Sequence, residues 1–148
     1  TEYTMHLVTF ATIAIVATVA ATYVEKRAHI FHEGNVSQKC MECICQVESG
    51  CSAAGCRFDK GAESCGYFQI KEPYYIDCGS PGSDWHHCAD DLECSSRCVQ
   101  AYMDRYIDYS GCDHTCESYS RIHAGGPRGC ADPATITYWH KVQSHGCT

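Results

Sequence analysis

Between residues 37 and 48 the apolar and cysteine positions 40, 41, 44, 45 and 47 recur at helical spacing, and Gly50 supplies a stop. This predicts a helix with one buried face, with Ser37 at its cap and Glu48 on its last turn. Residues 57 to 70, RFDKGAESCGYFQI, centre a turn on Gly61 between two short runs of aromatic and apolar residues. They predict a small β-hairpin, with Asp59 near the end of its first strand. The stretch KEPYYIDCGSPGSDWHH, residues 71 to 87, is dense in Pro and Gly and reads as loop. Asp90, with Glu93 three residues on, signals the start of the clearest helix, and Leu92, Val99, Tyr102, Met103 and Tyr106 form its apolar stripe. Further helices are predicted over 112–124, ended by Gly125-Gly126-Pro127, and over 134–144. The pattern describes a single α+β domain, mostly helical with one small hairpin and no internal repeats.

The N-terminal segment breaks from this pattern. From Leu7 to Ala21 it is apolar and small, with no charge until Glu25. Such a run suits the core of a signal peptide better than a membrane span, although it lacks a basic flank. Residues 1–27 are therefore read as upstream sequence plus a signal peptide cut near Ala20 or Ala21, with Lys26-Arg27 as a dibasic processing site. A retained amphipathic anchor is the alternative. Residues 28–148 are the domain. All 14 cysteines fall from Cys40 onward, and an even count at this density implies a disulfide framework in a secreted protein, with the pairing left open. Zinc is the competing use, because Cys40-x-x-Cys43-x-Cys45, Cys94-x-x-x-Cys98 and Cys112-x-x-x-Cys116 have ligand-like spacings; the leader argues against it. Asn35-Val36-Ser37 is a glycosylation sequon.

Charge narrows the partners. From residue 28 onward nine Lys and Arg face sixteen Asp and Glu, a net −7. This argues against nucleic acid and against charge-driven adsorption on anionic membranes. Eight histidines follow residue 27, so full protonation would bring the net to about +1. A mildly acid working environment, such as a digestive lumen, is the corresponding expectation.

Glu48 and Asp59 stand eleven positions apart with two cysteines between them. A glycosidase needs one carboxyl that holds a proton for the leaving oxygen and a second, ionised, that attacks or stabilises the sugar cation. Holding the proton requires partial burial against apolar neighbours. Glu48, after Val47 on a packed helix, suits the first role. Asp59, beside a turn open to water and backbone donors, suits the second. Sixteen acids offer many such pairs, so spacing alone leaves ordinary surface charges as an alternative.

Four ordered blocks, CMECICQVESGC, DKGAESCGYFQIKEPYYIDCGSPG, CVQAYMDRY and YSRIHAGGPRGC…TITYWHKVQ, resemble those of invertebrate-type lysozymes, the family that includes destabilase. The resemblance runs from about Val36 to Cys147. It implies a small disulfide-rich lysozyme-like fold, with Glu48 as proton donor and Asp59 as nucleophile or stabiliser. It implies cleavage of the β-1,4 bond between N-acetylmuramic acid and N-acetylglucosamine in peptidoglycan, with some chitin hydrolysis, and no metal or cofactor. A secreted, bacteriolytic monomer or weak dimer follows, free of membranes once the signal is cut and acting in a gut lumen or body fluid. KEPYYID sits where the family lines its cleft, which makes Lys71, Glu72, Tyr74, Tyr75 and Asp77 substrate-binding candidates, joined by Tyr102 and His123. Two departures stand out: Ala62, where relatives often have serine, and Ala124, where asparagine is common.

Two other readings remain open. Relatives resembling destabilase also cleave the ε-(γ-Glu)-Lys isopeptide bond, for which Ser83 with Lys71 as base, or a serine paired with His123, would supply the nucleophile. The third reading is a non-catalytic sugar-binding defence protein on the same scaffold.

Overall fold

The computed structural model describes residues 29–148 except Lys60, with the backbone alone at Asp59. The leader, its cleavage sites and the domain boundary at 27/28 lie outside the described residues. No helix among the described residues is long and apolar enough to cross a membrane.

Helix α1 (Gln38–Ser49) starts where Ser37 accepts a hydrogen bond from the Cys40 amide and stops at Gly50, whose φ of 66° closes the last turn. Its buried face is Cys40, Met41, Cys43, Ile44 and Cys45. Strands β1 (Cys56–Asp59) and β2 (Ala62–Cys65) form an antiparallel hairpin with Cys56 opposite Cys65 and Asp59 opposite Ala62. Gly61, at φ 80°, makes the turn that a side chain would resist.

Residues 71–87 differ from the predicted loop. They contain α2 (Glu72–Asp77) and α3 (Trp85–Asp90). Pro73, read as a breaker, sits in the first turn of α2, where a missing N–H costs nothing. Asp84 caps α3 by accepting from the His87 amide. Only the stretch between the two short helices is loop.

The long helix α4 (Leu92–Ser110) is capped by Asp91, which accepts from the Cys94 amide, and not by Asp90. Asp90 instead accepts from the Gly55 amide. Helix α5 (Cys116–Gly125) begins after Thr115, later than the predicted 112. Two 3-10 turns, Gly129–Ala131 and Pro133–Thr135, then lead into α6 (Ile136–Gln143).

The core joins α1 to the buried faces of α4, α5 and α6 through Met41, Ile44, Val99, Met103, Ile107, Ile122 and Val142, with Phe68 and Ile70 from the segment after the hairpin. The N-terminal arm is sewn to α4: the Val36 amide donates to Gln100 Oε1 at 2.9 Å, and Gln100 Nε2 donates to the Val36 carbonyl at 2.8 Å. Asn35, the sequon residue, donates from Nδ2 to Asp104 Oδ1 at 2.8 Å.

All fourteen cysteines pair: Cys40–Cys116, Cys43–Cys147, Cys45–Cys51, Cys56–Cys65, Cys78–Cys98, Cys88–Cys94 and Cys112–Cys130. No thiol remains free, so the zinc reading of their spacing falls. A core this small gains from cross-links that restrict the unfolded chain. Two of them bear on the acids: Cys45–Cys51 closes the chain around Glu48, and Cys56–Cys65 staples the hairpin that ends β1 at Asp59.

Candidate active site

A groove of about 660 Å³ runs across the molecule, lined among others by Glu48, Phe58, Gln69, Tyr74, His123 and Tyr138. Its residues come from the end of α1, the hairpin, the turn after it, α2, α4 and the C-terminal α5 and α6. Glu48 is the penultimate residue of α1, and its side chain is 19% exposed. The Tyr138 hydroxyl, from α6, donates to Glu48 Oε1 at 2.6 Å. His123, from α5, brings Nε2 to 3.5 Å of the same oxygen with only 4% of its own side chain exposed.

The neighbours of His123 assign its proton. Nε2 lies 3.0 Å from the Phe68 carbonyl, an obligatory acceptor, so Nε2 carries the hydrogen. Nδ1 is then the acceptor for the Tyr74 hydroxyl at 3.2 Å. Tyr74 in turn stacks flat on Tyr102, with ring centroids 3.6 Å apart. Burial holds the Tyr74 hydroxyl well above the ordinary tyrosine value, with Tyr102 and the Glu48 charge adding to it. The Tyr138 hydroxyl is raised in the same way, by burial first and then by Glu48. Both therefore remain neutral donors throughout the range in which a carboxyl works.

The hairpin meets α1 through Arg57. Its guanidinium donates to the Glu48 main-chain carbonyl, and Nε donates to Gln69 Oε1 at 2.6 Å. Gln69 holds a left-handed backbone, φ 47°, in the turn between β2 and Ile70, and its Nε2 also donates to the Gly66 carbonyl at 2.8 Å. Such a conformation persists only where its surroundings enforce it. Phe58 lines the groove and is 79% exposed; Asp59 is the next residue and ends β1. The Asp59 side chain lies outside the described residues, and with it the separation of the two acids.

Of the remaining candidates, Lys71, Tyr74, Tyr102 and His123 line the groove with Glu48. Three others do not. Tyr75 faces the core, with its hydroxyl donating to the Pro81 carbonyl at 2.9 Å. Asp77 accepts from the Tyr106 hydroxyl at 2.8 Å on the α4 side. Glu72 is exposed in the first turn of α2, where its charge suits the helix dipole. Once KEPYYID is a helix, its residues point in different directions, so a contiguous loop's worth of contacts is lost. Ser83 is exposed and donates to Asp84 Oδ2 at 3.3 Å, outside the groove that Lys71 lines. His123 gives both ring nitrogens to Phe68 and Tyr74.

Tyr138, Arg57 and Gln69 escape a reading of the sequence. Tyr138 lies 90 positions from Glu48 in a helix whose apolar pattern reads as core, and no local signal pairs the two.

A buried-edge carboxyl, held by a tyrosine and a histidine at the rim of an open groove on a disulfide-bound α+β domain, defines a hydrolase of the lysozyme type. The sequence agrees: the Destabilase family matches residues 37–145, and the chain belongs to that family, the invertebrate-type lysozymes. It is 62% identical over 117 residues to Lysozyme 1 of Crassostrea virginica, covering 79% of this chain and 64% of that protein. The chain thus spans less than two thirds of the length of that relative. The crystal structure of Tapes japonica lysozyme superposes with a TM-score of 0.75 at 54% identity, over 76% of this chain and 93% of the other. Meretrix lusoria lysozyme, in its complex with Aeromonas hydrophila PliI, superposes at 0.77 and 53%, over 80% and 100%.

Proposed function

We propose that this protein is a secreted lysozyme that hydrolyses the β-1,4 bond between N-acetylmuramic acid and N-acetylglucosamine, with Glu48 as general acid. The observation that carries the reading is Glu48 itself: a carboxyl at the rim of an open groove, with one oxygen accepting from Tyr138 and, among the described residues, no hydrogen-bond partner on the other. The contacts of Tyr138 and His123 both fall on Oε1. Oε2 is then the atom that carries the proton and passes it to the glycosidic oxygen as the bond to the anomeric carbon breaks. The carboxylate left behind is stabilised by the Tyr138 hydroxyl.

Asp59 supplies the second carboxylate, attacking or shielding the anomeric carbon. Water, deprotonated by Glu48, then completes hydrolysis with the configuration retained. That course requires the two carboxyls about 5 Å apart. The hairpin's attachment to α1 through Arg57, and the Cys45–Cys51 and Cys56–Cys65 cross-links, supply the rigidity such a distance needs. The exposed Phe58 offers a flat apolar face for a sugar ring.

The seven disulfides require an oxidising compartment for folding. Release into a gut lumen or body fluid accords with them; removal of residues 1–27 and action as a monomer belong to the same reading. The test is clearing of a bacterial cell-wall suspension by wild type, Glu48→Gln and Asp59→Asn. Clearing by Glu48→Gln at the wild-type rate would mean lysis without this chemistry.

A further inference from the structure

Asn35 is the only asparagine in the 148 residues of the chain, and it stands in the sequon Asn35-Val36-Ser37. The fold presents its side chain outward. On one side Gly34 lies against Gln100, where an added Cβ would come within 2.5 Å of Gln100 Oε1. On the other side Val36 is buried, and Gln100 binds both its amide and its carbonyl, at 2.9 and 2.8 Å. Gln100 is itself buried and also donates to the His32 carbonyl at 3.1 Å, so it cannot yield. With both neighbours held inward, Asn35 is exposed, in a bend just ahead of α1. The groove lies toward the other end of that helix. Glu48 is the penultimate residue of α1, and a helix of 12 residues is about 18 Å long.

We propose that Asn35 carries an N-linked glycan, a modification independent of the lysozyme chemistry above. The native partners of the sequon are made late: Gln100 follows Val36 by 64 positions, and Asp104 follows Asn35 by 69. At roughly 5–20 residues per second of synthesis, the sequon stays undocked for about 3–14 s. It does so in the oxidising compartment that the seven disulfides require. The co-reactant is an oligosaccharide joined to a lipid pyrophosphate. Nδ2 of Asn35 forms the bond to the anomeric carbon, the bond from that carbon to the pyrophosphate breaks, the lipid pyrophosphate leaves and one amide proton is lost. The product nitrogen keeps one N–H. In the fold Asn35 gives one N–H to Asp104 Oδ1, at 2.8 Å, so that bond survives and the sugar takes the free position toward solvent. Ser37 serves twice: its hydroxyl completes the sequon in the unfolded chain, then caps α1 by accepting from the Cys40 amide at 3.3 Å.

The experiment is intact-mass measurement of the full chain secreted from animal cells, before and after treatment with a peptide N-glycosidase, with a peptide map to locate the change. Wild type should carry the mass of one oligosaccharide, lost on treatment, with Asn35 converted to aspartate as the mark of the site. Ser37→Thr should keep the sugar. Ser37→Asp separates the two duties of that position, because aspartate caps a helix as well as serine does but completes no sequon. It should be secreted folded, with its helix content intact and no sugar. Asn35→Gln should lose the sugar as well. Should either variant fail to be secreted, the enzyme-treated wild type still reads the site. A bare Asn35 in folded, fully disulfide-bonded wild type overturns the proposal, and so does a sugar that persists in Ser37→Asp.

Discussion

Replacing Tyr138 by Phe removes one oxygen atom from the groove and leaves the ring in place. In the wild type that oxygen donates to Glu48 Oε1 at 2.6 Å. A hydrogen bond to a charged group contributes about 1.5–3 kcal/mol when shielded from water. With 19% of the Glu48 side chain exposed and His123 Nε2 still 3.5 Å from the same oxygen, the lower part of that range, about 1.5–2 kcal/mol, applies. The bond is strongest when Glu48 has given up its proton, which is the direction of change in the transition state. Its loss should therefore appear in kcat, as a fall of about 10- to 30-fold, with KM nearly constant. The assay is initial-rate hydrolysis of a soluble muramyl oligomer over a range of concentrations, with a thermal melt to confirm that the fold is intact. An unchanged kcat in a folded variant would refute the role given to Tyr138. A rise in KM alone would show instead that the hydroxyl binds sugar.

Other substitutions and conditions test the rest. Glu48→Gln and Asp59→Asn should each lower cell-wall clearing by at least about 100-fold without loss of secondary structure, as circular dichroism would confirm. Gly66→Ala should destabilise by about 3 kcal/mol or more in a denaturant melt. Gly66 has a φ of 74°, and an added Cβ would come within 1.7 Å of the Ala89 carbonyl oxygen, which accepts from the next amide. Removing the Cys43–Cys147 cross-link by a double serine variant opens a loop of 104 residues and should cost about 2–5 kcal/mol, read as a lower denaturation midpoint. Burial, the first cause in each case, raises the Tyr74, Tyr102 and Tyr138 hydroxyls above their unfolded value. The stability they contribute is full below about pH 10 and lost as pH rises beyond it. Tyrosinate absorbance should rise late, together with unfolding, and an early rise without unfolding would contradict their burial.

Much of this was legible locally. The periodicity of 40, 41, 44 and 45 and the serine before it define α1, because a helix with one buried face writes its period into the chain. Gly61 between two short runs defines the hairpin. The paired acids and the four blocks point to lysozyme chemistry before any coordinate. The errors have local causes too. Pro73 in a first turn resembles a breaker, and two adjacent aspartates compete to cap α4, a contest that Gly55 settles by engaging Asp90. That last contact runs across the fold, and neighbouring residues do not encode it.

The long helices with one apolar face, the hairpin and the cysteine-rich oxidising chemistry belong to the chain itself, since each depends on residues within a few positions of one another or on composition. Which cysteine meets which, and that Tyr75 faces inward while Tyr74 lines the groove, were decided only by packing. So was the environment of Glu48, where a hydroxyl 90 positions away and an imidazole from another helix converge on one oxygen. A hydrogen bond of that kind acts over about 3 Å of space and has no dependence on distance along the chain.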